Sequence, residues 1–193
     1  NTKTNEEVTV SHTDPFSAFV FKTMLDPFAG KLSFVRIMSG SLTEGAKLYN
    51  VNRDKEEKFS KMFTMIGKQQ IPVAKAIAGD IIVIPKLEAR TGDTFADPAF
   101  PVTYPPIELP QSLHVVAVVP EVKGEEEKLG VALNKIQEEV PTCQVRKDVE
   151  SGQLLVSCMG EIHLDHLLAK MERKYGTSNA DEYRKYKVYE DGD

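Results

Sequence analysis

The chain has 193 residues, of which 41% are hydrophobic and 27% are charged. This composition is typical of a folded globular protein and excludes a disordered or fibrous chain. The formal net charge of −5 argues against a general nucleic-acid coat, because phosphate contacts need a surplus of Lys and Arg. The charge is uneven, since residues 14–97 carry twelve Lys and Arg against ten Asp and Glu. An RNA-facing surface is therefore expected in the first part of the chain.

Targeting and membrane signals are not found in the sequence. No segment approaches the ~20 continuous apolar residues of a membrane-spanning helix. The chain starts at Asn1, without a basic stretch that leads into an apolar core, so no secretory signal is expected. We therefore expect a cytoplasmic protein with no membrane partner.

The two cysteines, Cys143 and Cys158, are too few for a disulfide framework and lack the spacing of zinc ligands. A hairpin between them would bring the two thiols face to face. A cytoplasmic protein keeps its thiols reduced, and free Cys packs well as a small apolar residue. We therefore expect two free thiols rather than a functional disulfide.

Residues 14–97 contain short apolar runs separated by turn residues, after a polar leading segment at 1–13. No helical pattern intervenes. Strands of this length and spacing predict a small closed β-barrel. The predicted strands are Phe16–Leu25, Lys31–Met38, Lys47–Asn52, Lys58–Ile66, Asp80–Pro85 and Thr94–Phe95.

A proline-rich stretch at 98–110 follows the predicted barrel. Proline has no backbone donor and fixes φ, so this stretch predicts an extended, semi-rigid linker, where we place the domain boundary. The prolines are Pro98, Pro101, Pro105, Pro106 and Pro110.

The second part, 111–193, changes its periodicity. Continuous apolar residues predict a strand buried on both faces, and apolar residues at helical spacing predict two helices, the first of which ends at Pro141. The order predicts a ferredoxin-like β-α-β-β-α-β domain, and hence an all-β domain followed by an α+β domain. The predicted elements are strand Leu113–Val119, helix 129–140, hairpin Cys143–Lys147 with Leu154–Cys158, helix 164–175 and strand Lys185–Glu190.

Several segments, in this order over roughly residues 14–175, resemble domains II and III of bacterial elongation factor G, a translational GTPase family. The barrel segments are Phe16–Ala18, Phe21–Lys22, Asp26–Arg36, Ser39–Gly40, Ala78–Ile81 and Thr91–Thr94. The later segments are Lys128–Leu133, Glu138–Thr142, Gly152–Gln153 and Met159–Asp165. Beyond Gly176 the sequence departs from the Val-rich fourth strand of the family.

The resemblance implies a fragment of a ribosomal translocase that acts in translation elongation. The intact protein would be a GTPase that uses GTP and Mg²⁺, with its own GTPase domain as one partner of this fragment. The fragment itself is expected to be a monomer. It is also expected to lack enzyme activity, because it contains no glycine-rich loop ending in Lys and Ser or Thr, which a GTPase needs to bind phosphates. The barrel would contact RNA and protein of the small ribosomal subunit, and the ferredoxin-like domain would relay the GTPase state.

The predicted second helix begins with Glu161, Ile162, His163, Leu164, Asp165 and His166. His163 and His166 lie on one helix face, but a metal site needs further ligands from another element, and none is marked. We predict no metal site and no catalytic or nucleotide-binding residue. The resemblance instead implies that this helix start faces the GTPase domain and contributes to the pocket used by fusidane antibiotics. The candidate contacts are Thr142, Met159, Gly160, His163 and Leu164.

In the predicted barrel, Lys31 and Arg90 are the preferred RNA contacts, because each lies beside a small residue that lets RNA approach the backbone. Two alternatives stay open for the whole. A ribosomal protection protein that displaces tetracycline would share the same two domains. A small ferredoxin-like acyl-phosphate hydrolase would need a phosphate loop between Val119 and Glu125, and the sequence there does not resemble one.

Overall fold

The computed structural model describes residues 11–120 and 124–175. The chain divides into two compact units, Asn1–Ile107 and Glu108–Asp193, and each is considered by itself. The division falls inside the stretch predicted as a proline-rich linker, 98–110. Within the described part of the chain, no helix combines the length and the apolar character needed to cross a bilayer.

The first unit consists of short antiparallel strands. Eight of them form one sheet in the order β5-β4-β10-β1-β2-β9-β6-β7, and β3 pairs with β8 in a second sheet. The strands are β1 Ser17–Asp26, β2 Gly30–Ser39, β3 Ser41–Thr43, β4 Lys47–Asn50, β5 Lys55–Lys58, β6 Phe63–Ile66, β7 Gln69–Pro72, β8 Lys75–Ile77, β9 Ile81–Pro85 and β10 Thr94–Ala96.

Both sheets of the first unit enclose a single core. Val35 on β2, Leu42 on β3, Leu48 on β4 and Ile82 on β9 belong to the same buried cluster. Strands that are far apart in the sheet order therefore meet around one centre, as in a barrel. Phe95 on β10 is also fully buried there, and each such side chain contributes about 1.5–3 kcal/mol to folding.

A second, smaller cluster covers the opposite face of the β2-β9-β6 strands. Leu32, Phe63 and Val83 are buried in it, and Met24 and Ala29 pack against them. Successive side chains of a strand point to opposite faces, so Leu32 lies outside the barrel when Val35 lies inside. This cluster packs the turn end of the β1–β2 hairpin against β6 and β9.

The predicted strand Lys58–Ile66 was wrong as a single element. The structure has two strands instead, β5 and β6, and the four residues between them are not in a strand. Phe59 and Met62 in this break turn into the barrel core, where both are buried. The strands β3, β7 and β8 were missed. β3 and β8 have only three residues each, and β7 is exposed throughout and shows no apolar alternation.

The first half of the proline-rich stretch lies on the barrel. Tyr104 places its hydroxyl 2.7 Å from Ser17 Oγ, which in turn is 2.7 Å from Ser39 Oγ. The Tyr104 backbone N–H donates to Thr94 Oγ1, and its ring meets Phe19 edge to face. These contacts attach the chain to β1 and β10 before it leaves the first unit.

The second unit has a three-stranded antiparallel sheet in the order β11-β13-β12 and two helices. The helices bury one stripe each, Leu129 to Ile136 on α1 and Leu164 to Met171 on α2, in a core shared with Val116 and Val156. The predicted last strand, Lys185–Glu190, lies outside the described residues. The elements are β11 His114–Val118, α1 Glu126–Glu139, β12 Gln144–Lys147, β13 Leu154–Cys158 and α2 Glu161–Tyr175.

A buried ion pair ties the end of α1 to the end of α2. The Glu139 side chain is only 2% exposed, and its two carboxylate oxygens lie 2.5 Å from Lys170 Nζ and 2.7 Å from Lys174 Nζ. Burial, with the nearby Glu139 carboxylate, raises the pKa of Tyr175 to about 12. This polar cluster fixes how the two helices meet at their C-terminal ends.

Candidate functional site

The first candidate site lies where the sheet of the second unit meets the start of α2. Gln144 on β12 pairs with Ser157 on β13, so Thr142, two residues before Gln144, and Met159, two residues after Ser157, follow the same end of this strand pair. The Ser112 hydroxyl donates to the Thr142 carbonyl at 2.6 Å. The strand ends and the helix start are thus held together by the chain that precedes β11.

The first turn of α2 is capped by a side chain of the same helix, that of His163. The Met159 backbone N–H donates to His163 Nδ1 at 3.2 Å, and the Leu164 N–H donates to the Gly160 carbonyl at 3.0 Å. Since Nδ1 accepts this bond, the neutral His163 ring carries its proton on Nε2. The four residues Met159, Gly160, His163 and Leu164 therefore form one local unit, as an N-terminal cap does.

Apolar side chains are exposed around this helix start. Ile162 is 86% exposed, Leu113 is 82% exposed and Met159 is 50% exposed. Leu113 directly precedes β11, whose residue His114 pairs with Cys158, so Leu113 comes next to Met159 at the sheet end. We call Leu113, Met159 and Ile162 the apolar rim. Exposed apolar groups in one place are typical of an interaction surface.

Sequence reasoning had singled out Met159 but missed Leu113 and Ile162. Ile162 does not fall on the buried stripe of α2, which runs through Leu164, Leu167 and Leu168. An isoleucine off the stripe at a helix start was the available signal, because nothing inside its own unit would cover it. No such signal marked Leu113, because the apolar run that begins there predicts a buried strand.

Both cysteines are free thiols and both are buried beside this site. Burial, and to a smaller extent the neighbouring Cys158, raises the pKa of Cys143 to about 11. Burial also raises the pKa of Cys158, whose Sγ lies 3.5 Å from the Gly160 carbonyl as its donor. Thiols in this state are protonated at neutral pH and make poor nucleophiles or metal ligands.

Metal ligands do not converge at the helix start. His163 is half-buried and engaged by Met159, and His166 is exposed one turn further. Among the residues that the structure describes, no three side chains of His, Cys, Asp or Glu come together as a metal site would require.

The second candidate site lies along the segment 86–93 of the barrel. The Lys86 N–H donates to the Lys31 carbonyl at 2.7 Å, and the Thr91 hydroxyl bonds to Thr23. The segment therefore runs from Lys31 to the middle of β1. Of the two predicted RNA contacts, Arg90 lies on this segment and is exposed, whereas Lys31 lies on β2 at the edge of the segment and is half-buried.

Asp93 holds this segment in place. Its carboxylate, nearly buried, accepts from Asn50 Nδ2, from the Arg90 backbone N–H and from Arg53 Nε, each at 2.9 Å. The Arg90 backbone is thus fixed while its guanidinium extends from the surface. A rigid base of this kind lowers the entropy cost of presenting a cation to a ligand.

Two further cations of the barrel make defined contacts. Lys55 pairs with Glu88, and Lys22 lies 5.6 Å from the centre of the Phe34 ring. The hydrogen bond from Lys55 lowers the pKa of Glu88, with smaller effects from Arg53 and Lys31. Glu88 therefore lies among both cations and acids, since its backbone N–H also donates to Glu57 Oε2 at 2.9 Å.

The sequence matches two models of known domains, side by side. Residues 15–97 match the model described as elongation factor G domain 2, and residues 109–180 match the model described as elongation factor G, domain III. The predicted fold class, a small translation-factor β-barrel followed by a ferredoxin-like domain, is confirmed by these matches and by the strand and helix content of the structure.

A solved structure supports the same relationship. A protein from Thermus thermophilus superposes with a TM-score of 0.75 at 29% sequence identity. The match covers 86% of this chain and 25% of that chain, so this chain spans about a quarter of the length of that protein. Together, the two consecutive domain matches and this superposition show that the chain belongs to the elongation factor G family, of which it carries domains II and III.

Proposed function

We propose that the chain is the non-catalytic middle part of a ribosomal translocase GTPase. The observation that carries the proposal is the order of two different elongation factor G domains on one chain. Neither matched domain is the one that binds nucleotide. GTP and Mg²⁺ would be bound by a GTPase domain of the longer protein, and work on the ribosome would place that protein in the cytoplasm.

The barrel would serve as the anchor on the small ribosomal subunit. Asp93 fixes the backbone of Arg90, and Lys31 on β2 borders the same segment through the bond from the Lys86 N–H, so the two cations lie on a rigid part of the barrel. RNA phosphates are bound by such cations, and this binding falls steeply with salt. The net positive charge of residues 14–97, in a chain that is acidic as a whole, supports the same assignment.

The ferredoxin-like domain would relay the nucleotide state to the rest of the protein. Its apolar rim of Leu113, Met159 and Ile162 exposes three large side chains at the start of α2. A neighbouring GTPase domain would cover them, and movement of that domain would be passed on through a helix whose first turn is internally capped. Thr142, Gly160, His163 and Leu164 remain the candidate contacts, also for a fusidane antibiotic.

Pelleting with purified small ribosomal subunits tests the anchor. The chain and its double variant Lys31→Glu, Arg90→Glu are sedimented with subunits at low and at moderate salt. A matched control, Lys68→Glu with Lys75→Glu, makes the same change in net charge at two exposed lysines elsewhere on the barrel. We expect salt-sensitive binding that the first variant loses and the control keeps.

Two results would speak against the anchor. If the control variant loses as much binding as the first, the binding reflects net charge rather than a site. If the unmodified chain fails to sediment at either salt concentration, the barrel does not anchor by itself, and affinity has to come from the GTPase domain.

A further inference from the structure

The hairpin of β6 and β7 lies at one end of the eight-stranded sheet, and β7 is exposed along its whole length. Among the described residues, β7 pairs with β6 alone, in a register that joins Ile66 to Gln69. The turn between these two residues is formed by Gly67 and Lys68, and Gly67 takes the left-handed φ of +60° that its position in a tight turn requires. An exposed edge strand offers backbone groups with which another strand can pair.

The backbone groups of Gln70 point away from β6. A two-residue turn closes on a hydrogen-bonded pair, and such pairs alternate with non-hydrogen-bonded ones along an antiparallel ladder. Gln69 and Ile71 therefore bond to β6, whereas Gln70 and Pro72 face outward. Proline has no N–H to leave unpaired at an outward position, so Pro72 agrees with this alternation. Within β7, which is described in full, the outer edge offers the Gln70 N–H as donor and the Gln70 and Pro72 carbonyls as acceptors.

Two isoleucines are exposed on one face of this hairpin. Ile71 pairs with Thr64, and Ile66 follows Thr64 by two residues, so the three side chains share a face. Ile66 is 66% exposed and Ile71 is 39% exposed. The opposite face carries Phe63, which is buried in the second, smaller cluster of the barrel. The isoleucines are therefore open to a partner, while the hairpin is packed from its other face.

The hairpin is also cationic. Residues 58–79 contain four lysines and no Asp or Glu, in a chain with a net charge of −5. Lys68 lies in the turn, and Lys61 precedes Met62, whose carbonyl accepts the Val73 N–H at 3.1 Å at the base of the hairpin. These two exposed lysines mark its two ends, about 13 Å apart for four strand residues. Within the described part of the chain, neither lysine forms a salt bridge.

We propose that β7 binds an extended, acidic segment of a partner protein by adding it to the sheet as a further strand. The backbone of Gln70 and Pro72 supplies the ladder bonds, and apolar side chains of the segment pack beside Ile71. Acids at the two ends of the segment meet Lys61 and Lys68. This inference goes beyond the proposed ribosomal role and does not involve the two predicted RNA contacts.

Two other occupants of this edge fit less well. A nucleic acid strand stacks its bases on aromatic rings, whereas the exposed apolar side chains of this hairpin are aliphatic. A second copy of the chain, paired edge to edge through β7, would bring lysines close to lysines, and like charges on opposed strands are unfavourable. The backbone donor, the aliphatic side chains and the positive charge together favour an acidic peptide.

Peptide titrations followed by NMR test the proposal. The probe is a synthetic peptide in which Val-Thr-Val is flanked on each side by Glu and then Ser, and it is added to the isotope-labelled chain at low salt. The negative control is the same peptide with Lys in place of both Glu. We expect the acidic peptide to shift the Gln70 amide signal and to slow its exchange with water, because that N–H becomes hydrogen-bonded. The lysine peptide should bind about tenfold more weakly.

Gln70→Pro removes the outward donor and keeps the bonds between β7 and β6. We expect this variant to weaken binding of the acidic peptide about tenfold, which corresponds to the loss of one or two hydrogen bonds. Gln70→Ala is the matched control, because it changes the same side chain and keeps the N–H. It should bind the peptide as the unmodified chain does. Thermal unfolding of each variant checks that the barrel is folded.

Lys68→Glu tests the charge without changing the strand edge, so it decides the matter even where Gln70→Pro does not fold. We expect it to weaken binding about fivefold at low salt, and the difference should shrink as salt is added. Lys86→Glu makes the same change in charge at another exposed lysine of the barrel, outside the hairpin. It should leave binding of the acidic peptide nearly unchanged.

Four results would overturn the proposal. Gln70→Pro, when folded, could bind the acidic peptide as tightly as Gln70→Ala, which would show that no strand is added. The lysine peptide could bind as tightly as the acidic one, or Lys86→Glu could weaken binding as much as Lys68→Glu, and then the hairpin lysines do not select the partner. Single-stranded oligouridine could displace the acidic peptide, in which case the surface binds RNA. A Gln70 amide signal that stays unshifted at millimolar peptide would refute the site itself.

Discussion

The hydroxyl groups of Tyr104 and Ser17 lie 2.7 Å apart, although the two residues are 87 positions apart in the chain. Ser17 is at the start of β1 and is nearly buried, so this bond closes the first unit just before the chain leaves it. The same Tyr104 bonds Thr94 through its backbone and meets the Phe19 ring. Tyr104 therefore attaches the proline-rich stretch to the barrel through both its side chain and its backbone.

Tyr104→Phe should remove this bond and keep the ring. We expect the first unit to lose about 1 kcal/mol of unfolding free energy, the usual net value of one hydrogen bond. Hydrogen exchange of the β1 and β10 peptides measures the loss. Phe100→Ala, in the same stretch, should change nothing, and faster exchange in that control would mean that the whole stretch, rather than Tyr104, holds the barrel.

Asp93→Ala should destabilise the barrel by about 3 kcal/mol, because Asn50, Arg53 and the Arg90 N–H would lose a shared, nearly buried acceptor. The measurement is the thermal unfolding of the barrel. Glu56→Ala is the control: its pair with Lys47 is exposed and contributes at most about 1 kcal/mol. Equal losses in the two variants would contradict the assignment of Asp93 as the holder of the segment 86–93.

Glu139→Gln should destabilise the second unit by about 3–5 kcal/mol, because it leaves the ammonium groups of Lys170 and Lys174 in a half-buried setting without their common carboxylate. Protection of α1 and α2 amides against hydrogen exchange should fall together. Glu125→Gln removes an exposed pair with Lys128 on the same helix and should cost well under 1 kcal/mol. A loss confined to the last turn of α1 would show that the pair does not join the helices.

The stability of the second unit should depend on alkaline pH through the Cys143 thiol. Its pKa is about 11 in the folded chain against an ordinary 9.0, so the folded state keeps a proton that the unfolded state loses first. Below pH 9 the Cys143 thiol is protonated in both states, and it makes its full contribution to the free energy of unfolding. As the pH rises from 9 to 11, the free energy of unfolding should fall by about 3 kcal/mol in total.

Thermal unfolding at pH 8 and pH 10.5 checks this, with Cys143→Ala for comparison. The unmodified chain should be the more stable at pH 8, because the buried thiol packs in the core, and its advantage should shrink at pH 10.5. An advantage that stays constant with pH would show that folding does not shift the pKa of this thiol.

Sequence patterns found the elements whose packing is local. The stripes of α1 and α2, the stop at Pro141 and the hairpin of β12 and β13 each follow from neighbours along the chain. The strands that the sequence patterns did not predict are those that form by pairing with other strands of the sheet. β7 and β8 consist of polar or single apolar residues, and they become strands because β6 and β3 offer ladder bonds to them.

The residues of the candidate sites also fall into those that the sequence predicted and those that it did not. Met159, Gly160 and His163 were named because the helix start resembled a known one, and Arg90 and Lys31 because small residues flank them. The exposure of Ile162 and Leu113, and the hold of Asp93 on Arg90, depend on which strand ends meet in space. Solvent exposure is a property of the folded surface, so the sequence alone could not single out Ile66 either.

Burial of Cys143 and Cys158 also gives the chain a practical property. These are the two cysteines of the whole sequence, and both have a raised pKa, so neither should react with maleimide dyes at neutral pH. A cysteine introduced at an exposed position such as Ile162 would then take up the dye alone. Fluorescent reporters can therefore be attached without first removing the native thiols.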